Sequence, residues 1–337
     1  MNDSASDLLV DLASERLGGK VLAVNDEFFA PKENLVKDAE PLWNPDKFTA
    51  HGKWMDGWET RRRREPGHDW AVVRLAIPGI VHHVIVDTAY FTGNFPESAS
   101  LEAIDLPNDP SLVELVRDPA RWTEIVPRTP LRGNTLNELP VAVGGRITHV
   151  RLVIYPDGGV ARLRVLGEPV PPEGLLDGQH QVDLALLNNG ARAIDCSDRH
   201  YSSPNRMLVP GRALGMWDGW ETKRRRGAGN DWAVIRLAGR ATVQRIDLDT
   251  AHFKGNAPGS ADIEAIDAPG ASIGDLRFAA WSRLLPEQPV KPDSRHKWSD
   301  LAEVGPVTHL RLNIHPDGGV ARLRALGTSD TPWTSTP

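Results

Sequence analysis

Apolar and polar residues alternate along short stretches of this chain, and Gly, Pro, Asn or Asp closes each stretch. The runs "DWAVVRLA" (residues 69–76) and "VHHVIVDT" (residues 81–88) each predict a strand. The clearest case is "THVRLVIYPDGGVARLRVLG" (residues 148–167), two alternating runs around Pro-Asp-Gly-Gly, which predicts a β-hairpin. In that hairpin Tyr155 faces Val160, Val153 faces Arg162 and Arg151 faces Arg164. The period of two turns Val150, Leu152, Ile154, Ala161, Leu163 and Val165 to the core. His149, Arg151, Arg162 and Arg164 take the other face. No stretch sustains a helical period for long, although residues 109–118 predict a short helix. The whole pattern predicts an all-β fold of antiparallel sandwiches, of the jelly-roll kind.

The pattern occurs twice. "MDGWETRRRREPGHDWAVVRLA" (residues 55–76) returns as "WDGWETKRRRGAGNDWAVIRLA" (residues 217–238), with fifteen of twenty positions identical between residues 56–75 and 218–237. Asp11, Leu12, Ala13, Gly18 and Asp26 recur as Asp183, Leu184, Ala185, Gly190 and Asp198. "VDTAYFTGN" answers "LDTAHFKGN", "LEAID" answers "IEAID", and "THLRLNIHPDGGVARLRALG" repeats the expected hairpin sequence at residues 308–327. The first copy carries an insertion within "LVKDAEPLWNPDKFTAHGKW". The period is far longer than a solenoid repeat, so two full domains related by internal duplication are expected. They span residues 18–168 and 190–328. Residues 169–189 are the linker, opened by the Pro- and Gly-rich "EPVPPEGLLDGQHQ". The repeated Trp58/Trp220, Trp70/Trp232 and Trp122/Trp281 are expected to serve packing rather than a sugar-stacking surface.

Composition narrows the function. The 337 residues, 40% hydrophobic and 25% charged, suit two soluble globular domains. A net charge of −6 argues against a general nucleic-acid binder, which needs a basic surface to displace counterions. The arginine run at residues 61–64 resembles an import patch, but it lies inside the repeated, Trp-flanked unit. A single cysteine, Cys196, excludes an intramolecular disulfide framework and a multi-cysteine zinc site. Neither a secretory signal nor an apolar run of membrane-spanning length is apparent, so a cytoplasmic protein with no membrane association is expected. No Gly-rich phosphate loop calls for a nucleotide cofactor.

Candidate chemistry lies in the polar residues that both copies keep. They are Asp56/Asp218, Glu59/Glu221, Asp69/Asp231, Asp87/Asp249 and Asn94/Asn256, with Arg62–Arg64 matched by Arg224–Arg226. Such an Arg-rich loop between acids can be an ion-pair network. Guanidinium groups also grip a carboxylate or ureido oxygen through forked hydrogen bonds. Like charges facing one another across a hairpin are destabilising, so Arg151/Arg164 and Arg311/Arg324 call for an anion. Asp56, Glu59, Asp87 or an acidic small molecule would supply it. The copies differ where His68 meets Asn230, Tyr90 meets His252 and Tyr155 meets His315.

The motifs "MDGWETRRRREPGHDW", "VDTAYFTGNFPESASLEA" and "THVRLVIYPDGGVARLRVLG", each repeated, resemble those of the allantoicase (allantoate amidinohydrolase) family over nearly all of both domains. The resemblance implies a pair of galactose-binding-like jelly rolls and hydrolysis of allantoate to ureidoglycolate and urea in purine breakdown. The alternatives are a carbohydrate- or ligand-binding module without catalysis, and an enzyme acting on another ureide such as ureidoglycolate. Acid–base roles are expected among Glu59, His68, Asp69, Glu221, Asp231 and His252. Substrate contacts are expected from Arg63, Arg64, Asn94, Arg225, Arg226 and Asn256. A divalent metal such as manganese is open on the resemblance, although no HExxH-like spacing supports one. A homo-oligomer is expected.

Overall fold

The computed structural model describes residues 8–106, 110–117, 121–141 and 144–330. Residues 1–7 and 331–337 lie outside that set. The described chain forms two compact units, one of residues 10–168 and one of residues 169–330 together with Leu8 and Leu9. Each unit is an antiparallel jelly-roll sandwich.

In the first unit the strands are β1 (Val10–Asp11), β2 (Lys20–Val24), β3 (Phe48–Thr49), β4 (Gly52–Lys53), β5 (Trp58–Glu59), β6 (Asp69–Asp87) and β7 (Ser98–Ile104). After helix α1 (Leu112–Arg117) come β8 (Thr123–Pro130), β9 (Leu136–Pro140), β10 (Arg146–Tyr155), β11 (Gly159–Val160) and β12 (Arg162–Pro169). The small β3–β4 ribbon falls within the insertion.

Strand β6 organises the unit because its 19 residues serve both layers. Its first half lies between β2 and β10, and β10 continues to β7 and β8. Its second half pairs with β9, and on the other side with β12, which in turn holds β1. Between the halves the β10 pairing jumps from Arg74 to Gly79, around a Pro78 that has no N–H to donate. Ala71, Val73, Ile77, Val84 and Val86 are all buried. The inward phase changes between Val81 and Val84, as a strand that turns a sandwich corner requires.

The second unit repeats this plan with β13 (Val182–Asp183), β14 (Arg192–Cys196), β15 (Trp220–Glu221), β16 (Asp231–Asp249) and β17 (Ser260–Ile266). Helix α2 (Ile273–Phe278) and β18 (Ser282–Pro289), β19 (Arg295–Trp298), β20 (Val307–His315), β21 (Gly319–Val320) and β22 (Arg322–Ser329) complete it. Strand β16 pairs with β14 and β20 in its first half, and with β19 and β22 in its second. A bulge between Val243 and Arg245 marks the change of phase.

The expected hairpin does not form. Strands β10 and β12 pair with different halves of β6, in different layers of the sandwich. The Pro-Asp-Gly-Gly segment carries the chain from one layer to the other, and β11 pairs with β5 on the way. The expected faces survive, since Val150, Leu152, Ile154, Ala161, Leu163 and Val165 are all buried. His149 and Arg162, read as outward, are buried as well. Trp58 and Trp220 are fully buried, each donating its indole N–H to a loop carbonyl, of Asp26 and Asp198 respectively. Among the described residues no helix is long and apolar enough to cross a membrane.

Candidate active site

The residues both copies keep gather around the β5–β11 and β15–β21 pairings. Gly158 has φ 141°, a backbone state that side chains disfavour, and it exchanges hydrogen bonds with Thr60. A Cβ on Gly159 would overlap the ring of buried Phe91. This tight passage lets the Gly159 N–H donate to the Asn94 carbonyl at 2.7 Å. The Asn94 amide then donates to Glu59 Oε1, also at 2.7 Å. The second unit reproduces the arrangement: the Gly319 N–H donates to the Asn256 carbonyl at 2.8 Å, and the Asn256 amide donates to Glu221 Oε1 at 2.5 Å. Burial pushes the Glu59 carboxyl above its ordinary pKa, against the opposing pull of the Asn94 hydrogen bond.

The arginine loops divide into inner and outer members. The Arg63 backbone N–H donates to Asp157 at 2.8 Å, and its guanidinium donates to Asp69 at 2.8 Å. Asp69 is buried and also accepts from Asn25. Arg225 repeats both contacts, with Asp317 and with buried Asp231, which also accepts from Ser197. Arg63, Asp69, Arg225 and Asp231 therefore hold the loops to the sheet. Arg62, Arg64, Arg224 and Arg226 are exposed.

The two candidate histidines stand apart from the Glu–Asn pairs. His68 is exposed and leans on Tyr155, ring centroids 5.5 Å apart, over the outer face of the β10 layer. His252 has φ 71°, its Nε2 lies 3.0 Å from the Ala213 carbonyl, and its N–H donates to Asp293. Among the described residues no hydrogen bond or ring contact joins either histidine to Glu59, Asn94, Glu221 or Asn256.

The anions expected beside the arginines are protein carboxylates. Arg151 pairs with Glu102, Arg164 with Asp11, Arg311 with Glu264 and Arg324 with Asp183. Buried Arg162 and Arg322 pair with Asp56 and Asp218. Glu59 and Asp87, also proposed for this role, take no part in these pairs. The premise that Arg151 faces Arg164 falls with the hairpin, because the two lie in different layers.

Two features escaped the sequence. On the outer face, Tyr155 Oη lies 3.2 Å from Ser100 Oγ, while in the second unit His315 Nε2 lies 2.7 Å from the carboxylate of buried Asp262. The contrast between Tyr155 and His315 was visible in the repeat. Their partners come from β7 and β17, and the pairing of these strands with β10 and β20 has no local signal. As for a metal, no group of three or more His, Cys, Asp or Glu converges suitably among the described residues. The donor set therefore does not fit a divalent ion.

The allantoicase repeat family model matches residues 10–170 and 182–330. A probable allantoicase 2 of Burkholderia pseudomallei is 48% identical over 321 residues, covering 94% of each chain. A probable allantoicase of Nocardia farcinica is 45% identical over 336 residues, covering 97% of this chain and 99% of its own. The crystal structure of allantoicase from Saccharomyces cerevisiae superposes with a TM-score of 0.78 at 36% identity, over 94% of this chain and 92% of that one.

Proposed function

The chain belongs to the allantoicase family, and we propose on that footing that Glu59 with Asn94, and Glu221 with Asn256, carry its reaction. It is a hydrolase of C–N bonds in linear amidines, converting allantoate and water to ureidoglycolate and urea in purine degradation. The observation that carries the assignment of residues is the Glu–Asn pair built identically in both units beside a run of exposed arginines.

Allantoate has one carbon bearing a carboxylate and two ureido groups. The exposed loop arginines Arg64 and Arg226 hold the carboxylate through forked hydrogen bonds. The Asn94 amide already donates to Glu59, which leaves its carbonyl oxygen to accept a ureido N–H. Burial favours the protonated form of Glu59, so this carboxyl is suited to give a proton to the departing ureido nitrogen. As that C–N bond breaks, urea leaves and the other ureido nitrogen, keeping its proton, supplies the electron pair that forms an acyliminium ion. Water then adds to the carbon, its proton returns to the carboxylate, and ureidoglycolate results. No step uses a metal, a nucleotide or a redox cofactor.

Urea release from allantoate by Glu59→Gln, Glu221→Gln and the double variant tests the reading. Each single change should remove one site's share and the double change should abolish turnover. A double variant with wild-type turnover would refute it. We place the protein in the cytoplasm as a homo-oligomer, with the exposed Leu42, Trp43 and Phe48 as surface that a second copy would cover. Light scattering on the purified chain measures the second point.

A further inference from the structure

The duplication supplies an internal control. The two units keep their cores and their Glu–Asn pairs, yet they differ on the outer face of the larger layer. Ser100, Val153, Tyr155 and His68 in the first unit correspond to Asp262, Asn313, His315 and Asn230 in the second. Glu124 opposite Glu102 corresponds to Arg283 opposite Glu264.

These changes have a chemical consequence. In the second unit Arg311 and Asn313 both donate to Glu264 Oε2, and the Arg283 guanidinium stands 3.7 Å from Oε1, beyond hydrogen-bond distance but close enough to neutralise its charge. In the first unit Arg151 donates to Glu102 Oε2, while Val153 and Glu124 stand in place of Asn313 and Arg283. Among the described residues, Glu102 Oε1 therefore has no hydrogen-bond partner. Glu102 and Arg151 line a cavity of about 360 Å³ together with the rings of His68, Trp70 and Tyr155 and the apolar Val72 and Val153. That volume is in the range of small-molecule sites.

We infer that this cavity is a second ligand site, separate from the reacting Glu–Asn pairs, and that it takes a neutral, planar cyclic ureide. The flat walls suit a ring, with Arg128 supporting Tyr155 from 4.2 Å. The ion-paired Arg151 and Glu102 present donors and an acceptor side by side, the complement of the C=O and N–H on one edge of a cyclic urea or imide. A neutral ligand suits the balanced charges around it: Arg151 is paired with Glu102, and Glu124 opposite Glu102 offsets the Arg128 guanidinium over the Tyr155 ring.

Calorimetric titration of the full chain with hydantoin and with xanthine tests this. Saturable binding of at least one ring, with one site per chain, is expected. Val153→Asn installs the second unit's own residue, which should engage Glu102 and weaken binding at least about tenfold. Should that variant melt early, His68→Asn at an exposed position gives the same reading, with weaker binding at unchanged melting temperature. Asn313→Val and Glu59→Gln should bind the ring as the wild type does. Absence of saturable binding by both rings, wild-type affinity in a folded Val153→Asn, or displacement of the ring by allantoate would each overturn the inference.

Discussion

The Arg162 guanidinium lies 2.8 Å from the Asp56 carboxylate, with 1% and 6% of the two side chains exposed. Its remaining N–H groups donate to the carbonyls of Ala39, Asp56 and Ala161. Arg322 makes the corresponding pair with Asp218 and reaches the carbonyls of Gly211, Arg212 and Asp218. A buried arginine thus fastens a long, irregular loop to the smaller layer in each unit. Arg162→Met would leave the Asp56 charge partly uncompensated and several carbonyls unpaired. We predict a loss of roughly 3–5 kcal/mol, read by urea denaturation. A loss under about 1 kcal/mol would mean that water replaces the guanidinium at little cost.

Arg151 should behave more mildly. Its pair with Glu102 is partly exposed, the side chains retaining 15% and 25% of their accessible surface. The guanidinium also covers the Trp122 ring at 5.0 Å. Arg151→Ala should cost about 1–2 kcal/mol, for the ion pair and the lost ring contact together. Turnover on allantoate should stay near wild type, because Arg151 lies apart from the Glu–Asn pairs, on the face that carries the second cavity. A normal melting curve with lost turnover would reverse that reading and place Arg151 at the substrate.

Alternation along the chain revealed which side chains face inward in β10 and β12, but not which strand lies beside them. Val150, Leu152, Leu163 and Val165 would be buried equally well in a hairpin or in two layers. The Pro-Asp-Gly-Gly sequence permits a sharp turn in either case. What decides is β6, which is long enough to serve both layers and bends around Pro78 and Gly79. The site was half legible for a related reason. Repetition singled out Glu59 and Asn94 individually. Their contact depends on Gly159 admitting Phe91 and binding the Asn94 carbonyl, a long-range fit that no local pattern encodes.

That fit can be broken directly. Gly159→Ala would drive a methyl group into Phe91, a ring with no exposed surface, and either the ring or the β5–β11 pairing must shift. Overpacking of this kind costs about 1–3 kcal/mol. Since Gly159 also holds Asn94, the shift should reach Glu59, and turnover should fall more than the melting temperature suggests. Gly159→Ala combined with Phe91→Leu makes room for the methyl group and should recover part of both. If the double variant is no better than Gly159→Ala alone, the clash with the ring is not the cause.

His309 gives the second unit a pH dependence of known sign. It is buried on β20, and burial, reinforced by the charge of Arg236, lowers its pKa to about 4, from the usual 6.5. The folded protein therefore keeps the ring neutral where the unfolded chain has already taken a proton. Between pH 6.5 and 4 the unfolded state binds more protons, so His309's contribution to stability falls as pH falls through that window and is constant above it. The full loss is on the order of 3 kcal/mol at one pKa unit per 1.36 kcal/mol. Asp183 works in the opposite direction. Burial raises its carboxyl to about 6 against the pull of Arg324, so the folded state gains protons first as the solution is acidified. The two contributions oppose one another and separate by substitution. His309→Asn should be less stable than wild type at pH 7 through altered packing. It should lose less stability on acidification, so the gap should narrow or reverse by pH 4. Asp183→Asn should show the opposite trend, losing ground to the wild type as the pH falls from 6 to 4. Denaturation curves at pH 7, 5.5 and 4 for the three proteins measure this, and a gap between His309→Asn and wild type that does not move with pH would show that His309 titrates normally in the fold.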